Sequence, residues 1–70
     1  MSQSERILYF LSEGNTITPL EALRMFSCFR LAARIADLKK EGHDIISNIV
    51  ENYSHNGVVR YAEYKMRLPV

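Results

Sequence analysis

The segment from Thr18 to Gly42, TPLEALRMFSCFRLAARIADLKKEG, constrains the fold more than any other part of the sequence. Its first residues carry three signals for a helix start: Thr18 can cap free backbone N–H groups, Pro19 suits the first helical position, and Glu21 completes a capping box. A later helix can end at Gly42, because glycine readily adopts the left-handed conformation past a helix terminus. The segment therefore predicts two helices joined by a tight corner.

The apolar residues of this segment assign an inner face to each helix. The first helix is predicted to span about two turns and to end near Phe26-Ser27. The second is predicted from about Cys28 to Glu41, with Ser27 as its cap. At about 100° per residue, the predicted buried stripes are Leu20, Leu23 and Phe26 in the first helix and Cys28, Leu31, Ile35 and Leu38 in the second.

A supporting helix is predicted before the segment. Ser2 and Glu5 have the spacing of a capping box, and the helix is expected to run through about Ser12, with Gly14 past its end. Residues on its inner face are Ile7, Leu8 and Leu11. Tyr9 and Phe10 fall off that face, and they are the candidate contact between two copies of the chain.

After His43 the pattern changes to that of a β-hairpin. Residues 44–51, DIISNIVE, are predicted as a strand, although apolar residues on both faces leave its register open. Residues 52–57, NYSHNG, are predicted as the turn, with Asn56-Gly57 as the hairpin signal. The returning strand runs from Val58 to about Leu68, before Pro69. Its alternation places Ala62, Tyr64, Met66 and Leu68 on one face and Tyr61, Glu63, Lys65 and Arg67 on the other.

The order of these elements predicts the fold class. An extended link at residues 15–17 has room for a short third strand near Thr16-Ile17. The order is then helix, strand, helix, helix, strand, strand, which is the order of an α+β winged helix-turn-helix. With 70 residues, we expect a single domain covering residues 1–70.

The composition argues against several classes of protein. Cys28 is the one cysteine, so an intramolecular disulfide is excluded, and His43 and His55 lie too far from it in sequence for a recognised zinc site. We expect no metal and no cofactor. The sequence has no membrane span, signal peptide, phosphate-binding loop or catalytic motif. We therefore expect a cytoplasmic protein that is not an enzyme.

A family resemblance adds to this reading. The stretches TPLEALRMF and RLAARIADLKKEGHDI, followed by the strand RYAEYKM, resemble the small winged helix-turn-helix domains encoded by many phages and prophages. The likeness covers almost the whole chain. It implies a module that binds double-stranded DNA and an origin in a phage or prophage. The hairpin, or wing, carries few basic residues compared with the most cationic winged helices.

The charge distribution points to the same partner. Residues 30–40 carry four cations and one anion, whereas the whole chain has a net charge of only +1. In a helix-turn-helix the N-terminal residues of the second helix reach base edges, which makes Arg30 the best candidate to contact guanine. The full set of candidate DNA-binding residues is Ser27, Phe29, Arg30, Ala33, Arg34, Lys40, His55 and Asn56.

Each of these candidates is expected to act in a particular way. Ser27 and Arg34 suit phosphate, as does Lys40, while Phe29 suits a thymine methyl. The small Ala33 permits a close approach. His55 and Asn56, at the tip of the wing, could reach the backbone or the minor groove.

Some alternatives remain open at this point. Arg34 could instead pair with Glu21 or Asp37, and the wing tip could be a solvated turn. The protein could also be an excisionase-like architectural protein that bends DNA. A different class is a winged-helix module that reads no bases and docks on a host protein such as polymerase, through the third helix or the surface of Tyr9 and Phe10. We expect a dimer or a cooperative oligomer on DNA, because one module of this size reads few base pairs.

Overall fold

The computed structural model describes residues 2–67, and these form three helices and one three-stranded antiparallel sheet. The elements are α1 (Gln3–Ser12), β1 (Thr16–Ile17), α2 (Pro19–Phe26), α3 (Leu31–Lys40), β2 (Ile45–Ser54) and β3 (Gly57–Met66), with the strands in the order β1-β3-β2. The predicted α+β order is confirmed, including the short third strand. Leu68 and Pro69, predicted to complete the last strand and to end it, lie outside the described residues.

Side-chain caps begin two of the helices, as predicted. The Glu5 N–H donates to Ser2 Oγ at 3.2 Å, and the Glu21 N–H donates to Thr18 Oγ1 at 3.3 Å. In each box the hydroxyl also donates to the glutamate side chain, at 3.3 Å in the first and 3.0 Å in the second. Pro19 occupies the start of α2, where a missing N–H costs nothing.

One core holds the helices against the base of the sheet. Its buried members are Ile7, Leu11, Ile17, Ala22, Cys28, Leu31, Ile35, Leu38 and Ile45. Tyr64 and Met66 cover it from β3. The register explains their position, because Met66 lies opposite Ile45 and Tyr64 opposite Ile17, and directly opposed residues of antiparallel strands share a face.

The buried stripe predicted for α2 was wrong for Leu20 and Leu23, whereas its third member, Phe26, does pack against the core. Leu20 is 57% exposed and Leu23 is 38% exposed, whereas Ala22 is fully buried. Apolar residues occur on almost every side of this short helix, so periodicity alone did not determine its rotation. Ala22 lets α2 approach the core closely, and Phe26, one turn later, lies partly buried beside it.

Phe10 also differs from its prediction. We expected it off the inner face of α1, but it is partly buried and packs against the core. Its ring meets that of Phe26 edge to face, with centroids 5.7 Å apart. Phe10 is therefore a contact between α1 and α2, and only Tyr9, which is 62% exposed, keeps the accessibility that a contact between copies needs.

The wing is longer than predicted. Residues 52–54 belong to β2 and not to the turn, and the turn consists of His55 and Asn56. Gly57 has φ +114°, whereas Asn56 is not among the residues with positive φ. The turn is therefore not the type I′ turn that Asn-Gly would form, because that turn requires positive φ at both of its central residues.

Candidate nucleic-acid interface

A left-handed residue turns the chain between α2 and α3. Ser27 has φ +53°, and it is the one non-glycine residue with positive φ within residues 2–67. Its N–H donates to the Leu23 carbonyl at 3.1 Å, and the next N–H, of Cys28, donates to the Ala22 carbonyl at 3.1 Å. Ser27 therefore ends α2, and the prediction that it caps α3 was wrong.

The start of α3 was predicted three residues too early. The helix begins at Leu31 and not at Cys28, because the Cys28 N–H is bonded back to α2. Cys28 is nevertheless buried as predicted, at 2% exposure, and it anchors the corner in the core. Residues 27–30, from Ser27 to the residue before Leu31, form a short connection of their own, which we call the corner.

Phe29 and Arg30 project from the corner. Phe29 is 85% exposed, and Arg30 lies at the N-cap position of α3. The Arg30 carbonyl accepts hydrogen bonds from the N–H groups of Ala33 and Arg34, at 3.1 and 3.2 Å. Its side chain makes no cap bond and joins no ion pair with any residue in the described range 2–67. A free guanidinium therefore stands at the N-terminal end of α3.

The outer surface of α3 is lined by small side chains. Leu31, Ile35 and Leu38 face the core. Ala32 and Ala36 are exposed, and Ala33, which we predicted on the outer face, is partly buried. The two exposed alanines were not selected from the sequence, although they lie one helical turn apart and so share a side. This surface can approach another molecule closely, but its methyl groups offer no hydrogen bonds.

Arg34 is engaged within its own helix. Its Nη2 lies 3.3 Å from Asp37 Oδ2, so one of the two carboxylate partners considered from the sequence is confirmed. The Arg34 Nε is buried and has no hydrogen-bond partner within the described part of the chain. The pair is partly exposed, at 37% and 54% of the side chains, so it contributes roughly 0–1 kcal/mol. This pairing therefore makes Arg34 a weaker candidate for phosphate than its position in the sequence indicated.

Lys39 and Lys40 supply positive charge at the far end of α3. Both are exposed, and neither joins an ion pair among residues 2–67. A ten-residue helix is about 15 Å long at 1.5 Å per residue. Arg30 and Lys40 therefore stand at opposite ends of one helix, a separation that lets them reach different parts of a duplex.

The wing presents little free positive charge. The strands β2 and β3 carry two cations, Arg60 and Lys65. Lys65 lies near the base of the sheet, opposite Ile46, whereas Arg60 lies nearer the tip, with its Nε 3.1 Å from Glu51 Oε1 on the facing strand. Tyr53 donates its hydroxyl to Glu51 Oε2 at 3.1 Å. The exposed apolar side chains of the wing are Ile49, Tyr53, Val58 and Val59.

The tip of the wing is exposed and carries two hydrogen bonds of its own. His55 and Asn56 both lie at the surface. The Asn56 N–H donates to Ser54 Oγ at 3.3 Å, and that hydroxyl donates to the Gly57 carbonyl at 3.2 Å. Two ten-residue strands separate this tip from the sheet's base, a distance of roughly 30 Å at about 3.3 Å per residue.

The predicted site residues thus fall into three groups. The corner contains Ser27, Phe29 and Arg30. Ala33 and Arg34 follow in the first turn of α3. Lys40 lies at the other end of α3. His55 and Asn56 belong to the tip of the wing, and they form a separate group. Within residues 2–67, no three His, Cys, Asp or Glu side chains cluster in a way that could hold a metal ion.

A family model described as a winged helix-turn-helix domain matches residues 2–68. No curated protein and no solved structure was found to match the sequence. In the described range, none of the helices has the length and apolar character needed to cross a membrane.

Proposed function

This chain belongs to the winged helix-turn-helix domain family, and from that premise we propose that it binds double-stranded DNA by placing the N-terminal end of α3 in the major groove. Membership of the family indicates DNA as a partner. The observation that carries the proposal further is the free Arg30 side chain at the N-cap of α3. Arginine there can donate two hydrogen bonds to guanine O6 and N7, a pairing worth about 1–3 kcal/mol of discrimination.

The residues around Arg30 fit the same arrangement. Phe29, almost fully exposed, would contact a thymine methyl. The exposed alanines of α3 let the helix backbone lie close to the groove. Free N–H groups at the start of a helix favour binding of a phosphate group. At the other end of α3, Lys39 and Lys40 would neutralise further phosphate groups of the DNA backbone. Few side chains on this helix can form hydrogen bonds with bases, so the specificity of one copy would be modest.

The biological role we propose is that of a phage or prophage transcriptional regulator. Modest specificity per copy favours binding as a dimer or as a cooperative array, with Tyr9 as the remaining contact candidate on α1. An excisionase-like architectural role uses the same surface. The two roles differ in the shape of the bound DNA, because an architectural protein bends its site. A DNA-bending assay on a selected site separates them.

A specific observation favours a second candidate function. The wing exposes Ile49 at 69% and Tyr53 at 78%, and its one arginine is paired with Glu51. An arm that is apolar and nearly neutral suits a protein surface better than a phosphate backbone. The alternative is therefore a winged helix that docks on a host protein through the wing.

Duplex binding measured by fluorescence anisotropy across a salt series tests the proposal. A labelled random-sequence duplex is titrated with the protein between low and physiological salt. If α3 neutralises roughly two to four phosphates, log affinity falls against log salt with a slope of about −2 to −4. Site selection then identifies the preferred sequence. Absence of binding at low salt would overturn the proposal and leave the host-protein alternative.

A further inference from the structure

Gln3 connects the start of α1 to the corner. Its side-chain Nε2 donates hydrogen bonds to the Phe26 carbonyl at 3.2 Å and to the Ser27 carbonyl at 3.3 Å. These contacts span more than twenty residues of sequence. Gln3 is partly buried, and its bond to the Phe26 carbonyl is partly buried whereas its bond to the Ser27 carbonyl is exposed.

The two carbonyls belong to the turn that sets the direction of α3. The last carbonyls of a helix have no partner within that helix, and α2 ends at Phe26. Ser27 holds a left-handed conformation, with φ +53°, which is unfavourable for a residue other than glycine. One amide that bonds both carbonyls therefore restrains this turn, in addition to the backbone hydrogen bonds from Ser27 and Cys28.

We propose that Gln3 is a positioning residue for DNA binding: it fixes the corner so that Arg30 points into the major groove. This inference rests on the proposed function. Phe29 and Arg30 follow Ser27 within three residues, so the geometry at Ser27 determines where they point. Within residues 2–67, the bond from Gln3 to Ser27 is the one side-chain hydrogen bond to the backbone of the corner. A bidentate contact depends steeply on geometry, so a looser corner weakens recognition without removing any group that touches DNA.

The contribution of these two hydrogen bonds can be measured with a substitution that removes the donor but keeps an uncharged side chain of similar length. Gln3→Met keeps the side-chain length and the helix propensity of α1 but removes the donor. Asn15→Ala is the matched control, because the Asn15 side-chain amide also donates to a helix-terminal carbonyl, that of Phe10 at 3.1 Å, far from the corner in sequence. If Gln3→Met fails to fold, Gln3→Asn replaces it, because the shorter amide does not reach both carbonyls.

Two measurements on the folded variants test the inference. By NMR hydrogen exchange, the amides of Ser27 and Cys28 should exchange faster in Gln3→Met than in Asn15→Ala. On a selected duplex, Gln3→Met should bind about tenfold more weakly, and Asn15→Ala should bind as the unchanged protein does.

A double-mutant cycle distinguishes positioning from general stability. If Gln3 acts through Arg30, Gln3→Met should cost little affinity in a protein that already carries Arg30→Ala. Equal losses in both backgrounds, or unchanged binding of Gln3→Met, would overturn the inference while leaving DNA binding intact. If the unchanged protein binds no duplex, the proposed function fails and this inference fails with it.

Discussion

Arg60 and Glu51 face each other across the wing, with Arg60 Nε 3.1 Å from Glu51 Oε1. The register places the two residues directly opposite each other on adjacent strands. The pair is solvent-exposed, so it contributes little to stability. Its main consequence is electrostatic, because it neutralises the one arginine that the wing could offer to DNA.

Freeing this arginine should strengthen DNA binding. In Glu51→Gln the carboxylate is lost and Arg60 becomes available to a phosphate near the wing. We expect affinity for a random duplex at low salt to rise about threefold to tenfold, and the salt slope to steepen by up to about 1. Fluorescence anisotropy measures both quantities.

The chain offers a matched control for this change. Arg67 pairs with Asp44 at 3.3 Å, at the end of the hairpin opposite the tip. Asp44→Asn makes the same change in net charge and also frees an arginine, but away from the wing. A similar rise in both variants would show a non-specific charge effect, and no rise in Glu51→Gln would place the wing away from the duplex.

The rotation of α2 about its axis predicts that substitutions at two of its residues lower the free energy of unfolding by different amounts. Leu20→Ala should change the free energy of unfolding by less than about 1 kcal/mol, because Leu20 is 57% exposed. Ala22→Leu should destabilise the fold by about 1–3 kcal/mol, because Ala22 is fully buried and a larger side chain overpacks the site. Urea unfolding followed by circular dichroism compares them. A larger loss in Leu20→Ala would contradict this packing.

The corner depends on a buried thiol. Cys28→Ser places a hydroxyl where the side chain is 2% exposed, which should cost about 1–3 kcal/mol of unfolding free energy. Phe29→Ser, at a neighbouring residue that is 85% exposed, should change it by less than about 0.5 kcal/mol. The same urea titration measures both. Equal losses would mean that Cys28 does not anchor the corner.

Much of the fold could be predicted from local signals. The caps at Ser2 and Thr18 and the stop at Gly42 depend on chemistry within one helical turn, and each is found where the sequence placed it. The order of elements followed from these signals. The rotation of α2 could not be predicted, because it depends on contacts with α1, such as the edge-to-face pair of Phe10 and Phe26.

Only part of the candidate site could be predicted, because some of its features are local in sequence and others depend on residues far apart in sequence. Charge and position selected Arg30, and it is exposed at the start of α3. Serine is a common N-cap, so Ser27 suggested a helix start, but a backbone bond to Leu23 makes it the end of α2. The bonds from Gln3 to the corner join residues far apart in sequence, and no local pattern indicates them.

Comparing Arg30→Ala with Arg6→Ala on a selected duplex tests the central claim most directly. Both variants remove one exposed arginine and change the net charge equally, but Arg6 lies on α1 and belongs to neither the corner nor α3. We predict that Arg30→Ala weakens binding about tenfold or more and loses preference for the selected sequence, whereas Arg6→Ala binds nearly as tightly as the unchanged protein. Equal affinities of the two variants would contradict major-groove recognition by α3.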